Sequence, residues 1–532
     1  MKYVTVFAIF MFIVCPITLH SQDLGFHKIA TVTGHSVGDR YFNIEGLGDV
    51  NGDSIPDFAV GAHWGNYVDI YFGSAEFDTI PDLRLWGEQD IEQFGWSITS
   101  GDMNGDGIND IIIGAPEHDN GAQWNSNDGR IYIYWGGTSL DSIPDRIFTG
   151  EEPSAQLGYS LEWSQDVNGD SYPDLLVGAP IHWSEFGRLF IFSATPSGVF
   201  EIDTLSWEAT GDVNKRGSLG YSIAPLGDIN ADRLNDFLVG APALFSSTLA
   251  RAYLVYGDSI PSLNHAVEFV GDSANPNFGR GVYGLGHFAN RNSSYFGINT
   301  WTALQIYSSH TLGVIDTLGS SVEWGSLNSV SPVSDLNQDG LTDVLIGVEN
   351  QSQLYTGLVA VYFGASSLDS LPAYTISGTQ SHHYFGKKVS SLGDINQDGQ
   401  PEYGIGESQE FEPVKPGRVH IYTYGTINAI ENPQYNTLPS TVILRNYPNP
   451  FNASTTLQYH LPAQGQVTIS IYDIAGHEVL SQDVGRQAAG RHSFRWRSEA
   501  TQNLPSGVYF CTITVENTTR KYRQSIKITL LK

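Results

Sequence analysis

Cysteine is nearly absent from this chain. Its 532 residues include two, Cys15 and Cys511. Cys15 lies in an N-terminal apolar run, so Cys511 would stand alone after processing. A disulfide framework is therefore excluded as the source of rigidity. Charge is also scarce, and it is one-sided. Charged residues make up 16%, with 27 Lys+Arg against 57 Asp+Glu and a formal net charge of -30. Binding to nucleic acid needs clustered Lys and Arg, so nucleic acid is excluded as a general partner. Beyond Leu19 no apolar run is long enough to span a bilayer, so no transmembrane segment is expected in the mature chain.

The start of the chain reads as a signal peptide, residues 1–21. Met1-Lys2 is followed by an apolar stretch from Tyr3 to Leu19 and a small residue, Ser21, before the expected cleavage point. Val14 before Cys15 and Pro16 after it argue against lipid attachment at that cysteine.

What the chain has in quantity is glycine, at 57 residues, and aromatic side chains, at 12%. That composition, with many short apolar runs, predicts an all-β chain. At this length one core is not enough, and a repeat array with an accessory domain fits better.

The repeat is an acidic loop that runs straight into an apolar strand. Its clearest copy is GDMNGDGINDIIIGAP, Gly101 to Pro116. Oxygen-bearing side chains stand at loop positions 1, 3, 5 and 9, and the carbonyl of position 7 can join them. In chain order the six sets are Asp49, Asn51, Asp53, Ile55 and Asp57; Asp102, Asn104, Asp106, Ile108 and Asp110; Asp166, Asn168, Asp170, Tyr172 and Asp174; Asp228, Asn230, Asp232, Leu234 and Asp236; Asp335, Asn337, Asp339, Leu341 and Asp343; and Asp394, Asn396, Asp398, Gln400 and Glu402. Five hard oxygens with water, or with one bidentate carboxylate, match the six to eight that Ca²⁺ takes. An EF-hand is excluded, because its last acid stands at position 12 before a helix. About six structural Ca²⁺ ions are expected. The loop of the fourth set, with Arg233 inside it, is expected to bind more weakly.

A further copy, FGRGVYGLGHFANRNSSYFGIN, keeps the register but not the ligands. His287, Ala289, Arg291 and Tyr295 replace them. No metal is expected there, and Arg291 is expected to place its guanidinium where the ion would sit. The first loop residues are thus Asp49, Asp102, Asp166, Asp228, His287, Asp335 and Asp394, spaced by 53, 64, 62, 59, 48 and 59. Spacing near sixty, with about four short strands per copy, predicts seven blades of a β-propeller over residues 22–427. The seventh copy stops after three strands. The segment His27 to Gly34 reads as its missing fourth, which would close the ring and remove the exposed edge.

The copies, FGWSITSGDMNGDGINDIIIGAP among them, resemble the FG-GAP repeats of integrin α-subunit propellers. That resemblance implies an extracellular calcium-binding propeller. Strand alternation puts the acidic loops on one face. The other face receives His63-Trp64, His118 with Trp124, His182-Trp183 and His382-His383. Trp64, Trp124, His182 and Trp183 are the candidate ligand face, and the loop histidines are expected to be solvated.

After a linker at 428–440, rich in Asn and Pro, the sign of the charge reverses. Ser440 to Lys532 carries ten basic and five acidic residues, leaving 17 basic against 52 acidic elsewhere. Period-2 runs such as Val467-Ile469-Ile471 predict a small Ig-like β-sandwich over 441–532. YPNPFN at Tyr447, IYDIAGHEV at Ile471, LPSGVYF at Leu504 and the terminal KITLLK resemble the C-terminal sorting domain of type IX secretion cargo. That resemblance implies export by the type IX machinery and a secreted or bacterial cell-surface location.

The expected function is a calcium-binding propeller that holds an extracellular protein or glycan. Two other readings stay open, a calcium-dependent polysaccharide-degrading enzyme and a passive structural surface protein. The sequence shows no nucleophile motif, zinc signature or phosphate loop, which turns the expectation away from catalysis.

Overall fold

Each blade begins where a short strand enters a tight loop, acidic in six of the seven, and leaves it as a second, wholly buried strand. The computed structural model describes residues 24–121, 126–181, 187–193, 201–205, 217–243, 249–259, 261–272, 277–319, 326–349, 355–366, 368, 371–409, 416–426, 443–447, 454–461, 464–488, 490–497, 504–516 and 521–530. The expected signal peptide and linker lie outside these residues. The chain divides into two compact units, Phe26–Tyr424 and a second one that includes Gly425–Lys532.

Among the described residues, the first unit holds seven four-stranded antiparallel sheets. After β1 (Leu24–Thr33) come β2 (Tyr41–Gly48), β3 (Asp57–Ala62), β4 (Tyr67–Tyr71) and β5 (Leu83–Trp86) in blade one. Blade two has β6 (Ser97–Gly101), β7 (Asp110–Ala115), β8 (Arg130–Tyr134) and β9 (Arg146–Thr149), and blade three has β10 (Ser160–Ser164), β11 (Asp174–Ala179), β12 (Arg188–Ser193) and β13 (Glu201–Leu205). Blade four has β14 (Ser222–Gly227), β15 (Asp236–Ala241), β16 (Arg251–Val255) and β17 (Val267–Val270), and blade five has β18 (Val282–Gly286), β19 (Tyr295–Asn299), β20 (Leu304–Ser308) and β21 (Val314–Leu318). Blade six has β22 (Leu327–Val333), β23 (Asp343–Val348), β24 (Leu358–Tyr362) and β25 (Tyr374–Ser377). Blade seven has β26 (Phe385–Gly393), β27 (Glu402–Glu407) and β28 (Arg418–Thr426), and β1 is its fourth strand, beside β28. The inner strands touch in a closed cycle: β2, β6, β10, β14, β18, β22, β26 and back to β2.

The second strand of every blade is buried from end to end. It lies between two neighbouring blades, so both of its faces are core. That explains its continuous apolar run rather than alternation. Outer strands such as β9 and β25 are largely exposed.

Glycine sets the spacing between blades. A Cβ on Gly114 would stand 2.1 Å from the Gly158 carbonyl of the next blade, and one on Gly178 would stand 1.9 Å from that of Gly220. Gly158 itself sits at φ +84, a conformation that favours glycine. The same carbonyls accept side-chain hydrogen bonds across the seam. Ser97 Oγ donates to Gly158 O at 2.6 Å, Ser160 Oγ to Gly220 O at 2.7 Å, and Asn43 Nδ2 to Gly95 O at 2.9 Å.

Closure is local chemistry as well as topology. Ile29 and Val32 of β1 are buried with Tyr41, Ile44, Val419 and Ile421. Gly34 N donates to Gly417 O at 2.9 Å, and Thr31 Oγ1 bonds His420 Nδ1 at 2.9 Å.

The second unit contains β29 (Ile443–Tyr447), β30 (Ser454–Leu461), β31 (Gly465–Asp473), β32 (Glu478–Gln487), β33 (Gly490–Arg497), β34 (Gly507–Glu516) and β35 (Lys521–Leu530). They form a three-stranded sheet, β29-β30-β33, and a four-stranded sheet, β32-β31-β34-β35. One core holds Leu457, Tyr459 and Trp496 of the first sheet with Val467, Ile469, Cys511 and Ile513 of the second. Cys511 is a free, buried thiol.

Candidate functional site

The six acidic loops share one internal geometry. At position 1, Asp102 Oδ1 accepts from the amides of Gly105 at 2.7 Å and Asp106 at 3.0 Å, while Oδ2 accepts from Gly107 at 2.8 Å. At position 3, Asn104 Oδ1 accepts from Asp106 N at 2.9 Å, and at position 5 Asp106 Oδ1 accepts from Ile108 N at 2.9 Å. The position-3 and position-5 contacts recur at Asn51 and Asp53, at Asn168 and Asp170, at Asn230 and Asp232, at Asn337 and Asp339, and at Asn396 and Asp398. A carboxylate has about four lone-pair sites, so these contacts leave acceptor capacity on each side chain. Copies two, six and seven keep Gly at position 6, at φ +88, +81 and +86 for Gly107, Gly340 and Gly399. In the fourth set Arg233 holds that conformation at φ 81, a strained one for a residue with a Cβ.

The acid at position 9 has a role that its spacing does not announce. Asp57, Asp110, Asp174, Asp236, Asp343 and Glu402 are all fully buried. Asp110 Oδ2 accepts from Met103 N at 2.8 Å, and Oδ1 accepts from Gly136 N at 2.8 Å, beyond β8. Asp57, Asp236 and Asp343 repeat both contacts, using Gly73, Gly257 and Gly364. Each of these acids thus ties the loop to the end of the third strand. Burial pushes the Asp57, Asp110 and Asp174 carboxyls up to about 7 against the hydrogen bonds that hold them down, two amides for Asp57 and Asp110 and the Val167 amide with the Ser193 hydroxyl for Asp174, and the acids at positions 5 and 1 add repulsion. The same causes push Asp236 and Asp343 up to about 6. Glu402 is pushed up to about 8 by burial and by Asp398.

The loops also join the blades. Asn109 N donates to Asp49 O at 3.0 Å, Asn235 N to Asp166 O at 2.8 Å, and Thr342 N to His287 O at 3.4 Å. Pinning one loop therefore pins a seam. Among the described residues, no three His, Cys, Asp or Glu side chains are arranged as a metal-holding group. The oxygen set of each loop also includes an Asn and a main-chain carbonyl, and it contains oxygen only. That is the donor chemistry of a hard cation.

Blade five has lost that set and closes its loop differently. His287 Nδ1 donates to Ser293 O at 3.0 Å, joining positions 1 and 7 directly. Arg291 does not lie inside its own loop as expected. Its Nη2 donates to the carbonyl of Asp339 in the loop of blade six. The guanidinium is long enough to cross the seam, and an acidic loop lies there.

The opposite face carries an aromatic run at the starts of the inner strands. Phe42 stands 5.5 Å from His63, His63 5.2 Å from Trp96, Trp96 5.2 Å from Tyr159, and Tyr159 4.8 Å from Tyr221. Basic side chains interrupt it. Arg280 stands 5.9 Å from the Tyr221 ring and 5.5 Å from Trp301, Lys387 lies 5.3 Å over Tyr384, and Arg40 lies 3.8 Å over Trp64. Below them is a cavity of about 510 Å³ between the inner strands. Glu45 and Lys388 form an ion pair in it at 2.9 Å. Glu162 shares the lining, and burial and Glu45 push its carboxyl up to about 8 against the pull of Lys388.

Of the residues expected on this face, Trp64 is 57% exposed. Trp124, His182 and Trp183 lie outside the described residues. The expected solvation of the loop histidines is corrected. His63, His118 and His383 are 4%, 2% and 9% exposed. Burial, with Arg40 and Lys387 nearby, pushes His63 down to about 3. His118 bonds Glu92, and His383 bonds Glu407 at 2.5 Å. His118 and His383 thus anchor loops to one another. Their buried carboxylate partners lie far away in sequence, so no local spacing could reveal them.

Residues 94–134 and 157–182 match the FG-GAP repeat. Residues 451–521 match the FlgD Ig-like domain. Integrin alpha-5 of Xenopus laevis is 32% identical over 218 residues, which is 39% of this chain and 20% of that protein. Integrin alpha-PS3 of Drosophila melanogaster is 34% identical over 173 residues, 32% of this chain and 15% of that protein. Integrin alpha-V of Gallus gallus is 31% identical over 208 residues, 37% of this chain and 19% of that protein. The chain thus spans a fifth or less of the length of these relatives. The ring of seven four-stranded sheets is thus an integrin-like β-propeller, with the FG-GAP repeat matched in blades two and three, and it is carried in one chain with an Ig-like β-sandwich.

Proposed function

We propose that this chain is an extracellular adhesion or ligand-binding propeller, fastened by calcium on one face and open to a ligand on the other. The observation that carries the reading is the run from Phe42 through Trp96 and Tyr159 to Tyr221, set among Arg40, Arg280 and Lys387. Aromatic surface supplies apolar contact and stacking, and the interspersed cations favour an acidic ligand. Residues 1–439 carry 17 basic and 52 acidic residues, and against that background a mouth rich in cations selects against other acidic surfaces less than its surroundings do. The ligand class is an acidic protein segment or a carboxylated glycan. A binding screen of the purified chain over neutral and acidic glycans and acidic peptides tests this. Binding confined to acidic members, and lost in Trp96→Ala and Arg280→Ala, is expected. Turnover of a glycan would replace this reading with an enzyme.

Calcium would be held in six loops by positions 1, 3, 5 and 9 and the carbonyl of position 7. Its part is structural, since each loop hydrogen-bonds to a seam. Export by the type IX machinery through residues 441–532 is supported by YPNPFN, IYDIAGHEV and LPSGVYF. Deleting that segment in a host with the machinery is expected to keep the propeller inside the cell. Unchanged surface delivery would remove the sorting role.

A further inference from the structure

Loop five lost its acidic ligands and gained a cation, and that cation is shared with its neighbour. Arg291 stands at position 5 of loop five, where the other copies have Asp. Its Nη2 donates to the main-chain carbonyl of Asp339, which is position 5 of loop six. Its guanidinium also packs on Gly340, where a Cβ would lie 2.1 Å from Cζ. Gly340 is at φ +81, and its amide donates to Asp335 Oδ2. The guanidinium therefore rests on the two residues around which loop six folds its carboxylates. A second bond crosses the same seam, from Thr342 N to His287 O at 3.4 Å.

A fixed positive charge here has two consequences. It offsets the mutual repulsion of Asp335, Asp339 and Asp343, which otherwise needs a bound ion. It also opposes the entry of a divalent cation by direct repulsion. We propose that Arg291 is a tethered cation for loop six. It keeps that loop ordered at low calcium and weakens its calcium affinity. This rests on the reading that the acidic loops bind calcium. A unit charge about 6 Å from a divalent ion in a water-like dielectric corresponds to about a tenfold change in affinity.

Calcium titration calorimetry of the whole chain, with melting curves in chelator, tests the assignment. Arg291→Ala and Arg291→Gln are expected to tighten one site about tenfold. They are also expected to lower the melting temperature in chelator relative to the parent chain. The tightened site is expected to vanish when Asp335→Ala is added. Unchanged titration in both Arg291 variants, with calcium still bound elsewhere, overturns the role of Arg291 and leaves the loop reading standing. Tightening that survives Asp335→Ala also overturns it. If neither the parent nor the variants take up calcium, the loop reading and this proposal fall together.

Discussion

His287 Nδ1 donates to the carbonyl of Ser293 at 3.0 Å, closing a loop that in six other blades begins with Asp. In those loops position 1 offers a carboxylate and position 7 a carbonyl. Two acceptors cannot bond each other, and the proposed cation between them would do what the imidazole N–H does in blade five. His287→Ala is expected to cost about 1 kcal/mol, equally in calcium and in chelator. Asp102→Ala is expected to lower the melting temperature far more in calcium than in chelator. A calcium-dependent loss at His287 would mean that loop five also binds the ion.

Glycine contributes in two separable ways. Gly105→Ala has open space around it and pays only for its left-handed conformation, at φ +77. A cost of about 1–2 kcal/mol is expected. Gly114→Ala meets a carbonyl of the next blade 2.1 Å from the new Cβ. About 3 kcal/mol is expected there, because backbone must move. Urea unfolding of both variants gives the comparison, and equal losses would argue against tight contact between blades.

The last blade carries an acid-sensitive lock. Burial alone would raise the Glu407 carboxyl, but hydrogen bonds from His420, Arg418 and His383 outweigh it and hold the group at about 2. A depressed carboxyl stabilises the fold above its unfolded value, near 4.5, and loses that contribution as pH falls toward 2. The stability gap between the parent chain and Glu407→Gln is therefore expected to be widest above pH 5 and to shrink on acidification. Denaturant unfolding across that range measures it, and a gap independent of pH would remove the lock.

Ring closure depends on β1. Deleting residues 24–33 exposes the edge of β28 and removes Ile29 and Val32 from the core. A large fall in melting temperature and concentration-dependent association are expected, and an unchanged melt would contradict closure by this strand.

Much of this ring was legible in the chain. The Asp-Asn-Asp spacing gave the copies, and the register of GLGHFANRNSSYFGIN exposed the copy without ligands. The apolar run at Asp110–Ala115 read as a buried strand, and His27 to Gly34 read as a displaced fourth strand. Long-range polar pairing was not legible. Glu92 with His118, and Glu407 with His383, form only when separate loops meet, Glu407 with His420 only when β27 pairs with β28, and exposure could not be inferred from a histidine beside a tryptophan. The position-9 acids were visible as acids, but their second partner, the end of the third strand, was not. Arg291 was visible as a cation, but not the direction in which it reaches.

The central claim is that six of the seven loops are fastened by calcium. The most direct measurement is the metal content of the purified chain together with its melting temperature before and after chelation. About six calcium ions per chain, those of loops four and six being the first lost, and a large fall in melting temperature on chelation are expected. A chain that carries no calcium, takes none up and melts identically in chelator would contradict it.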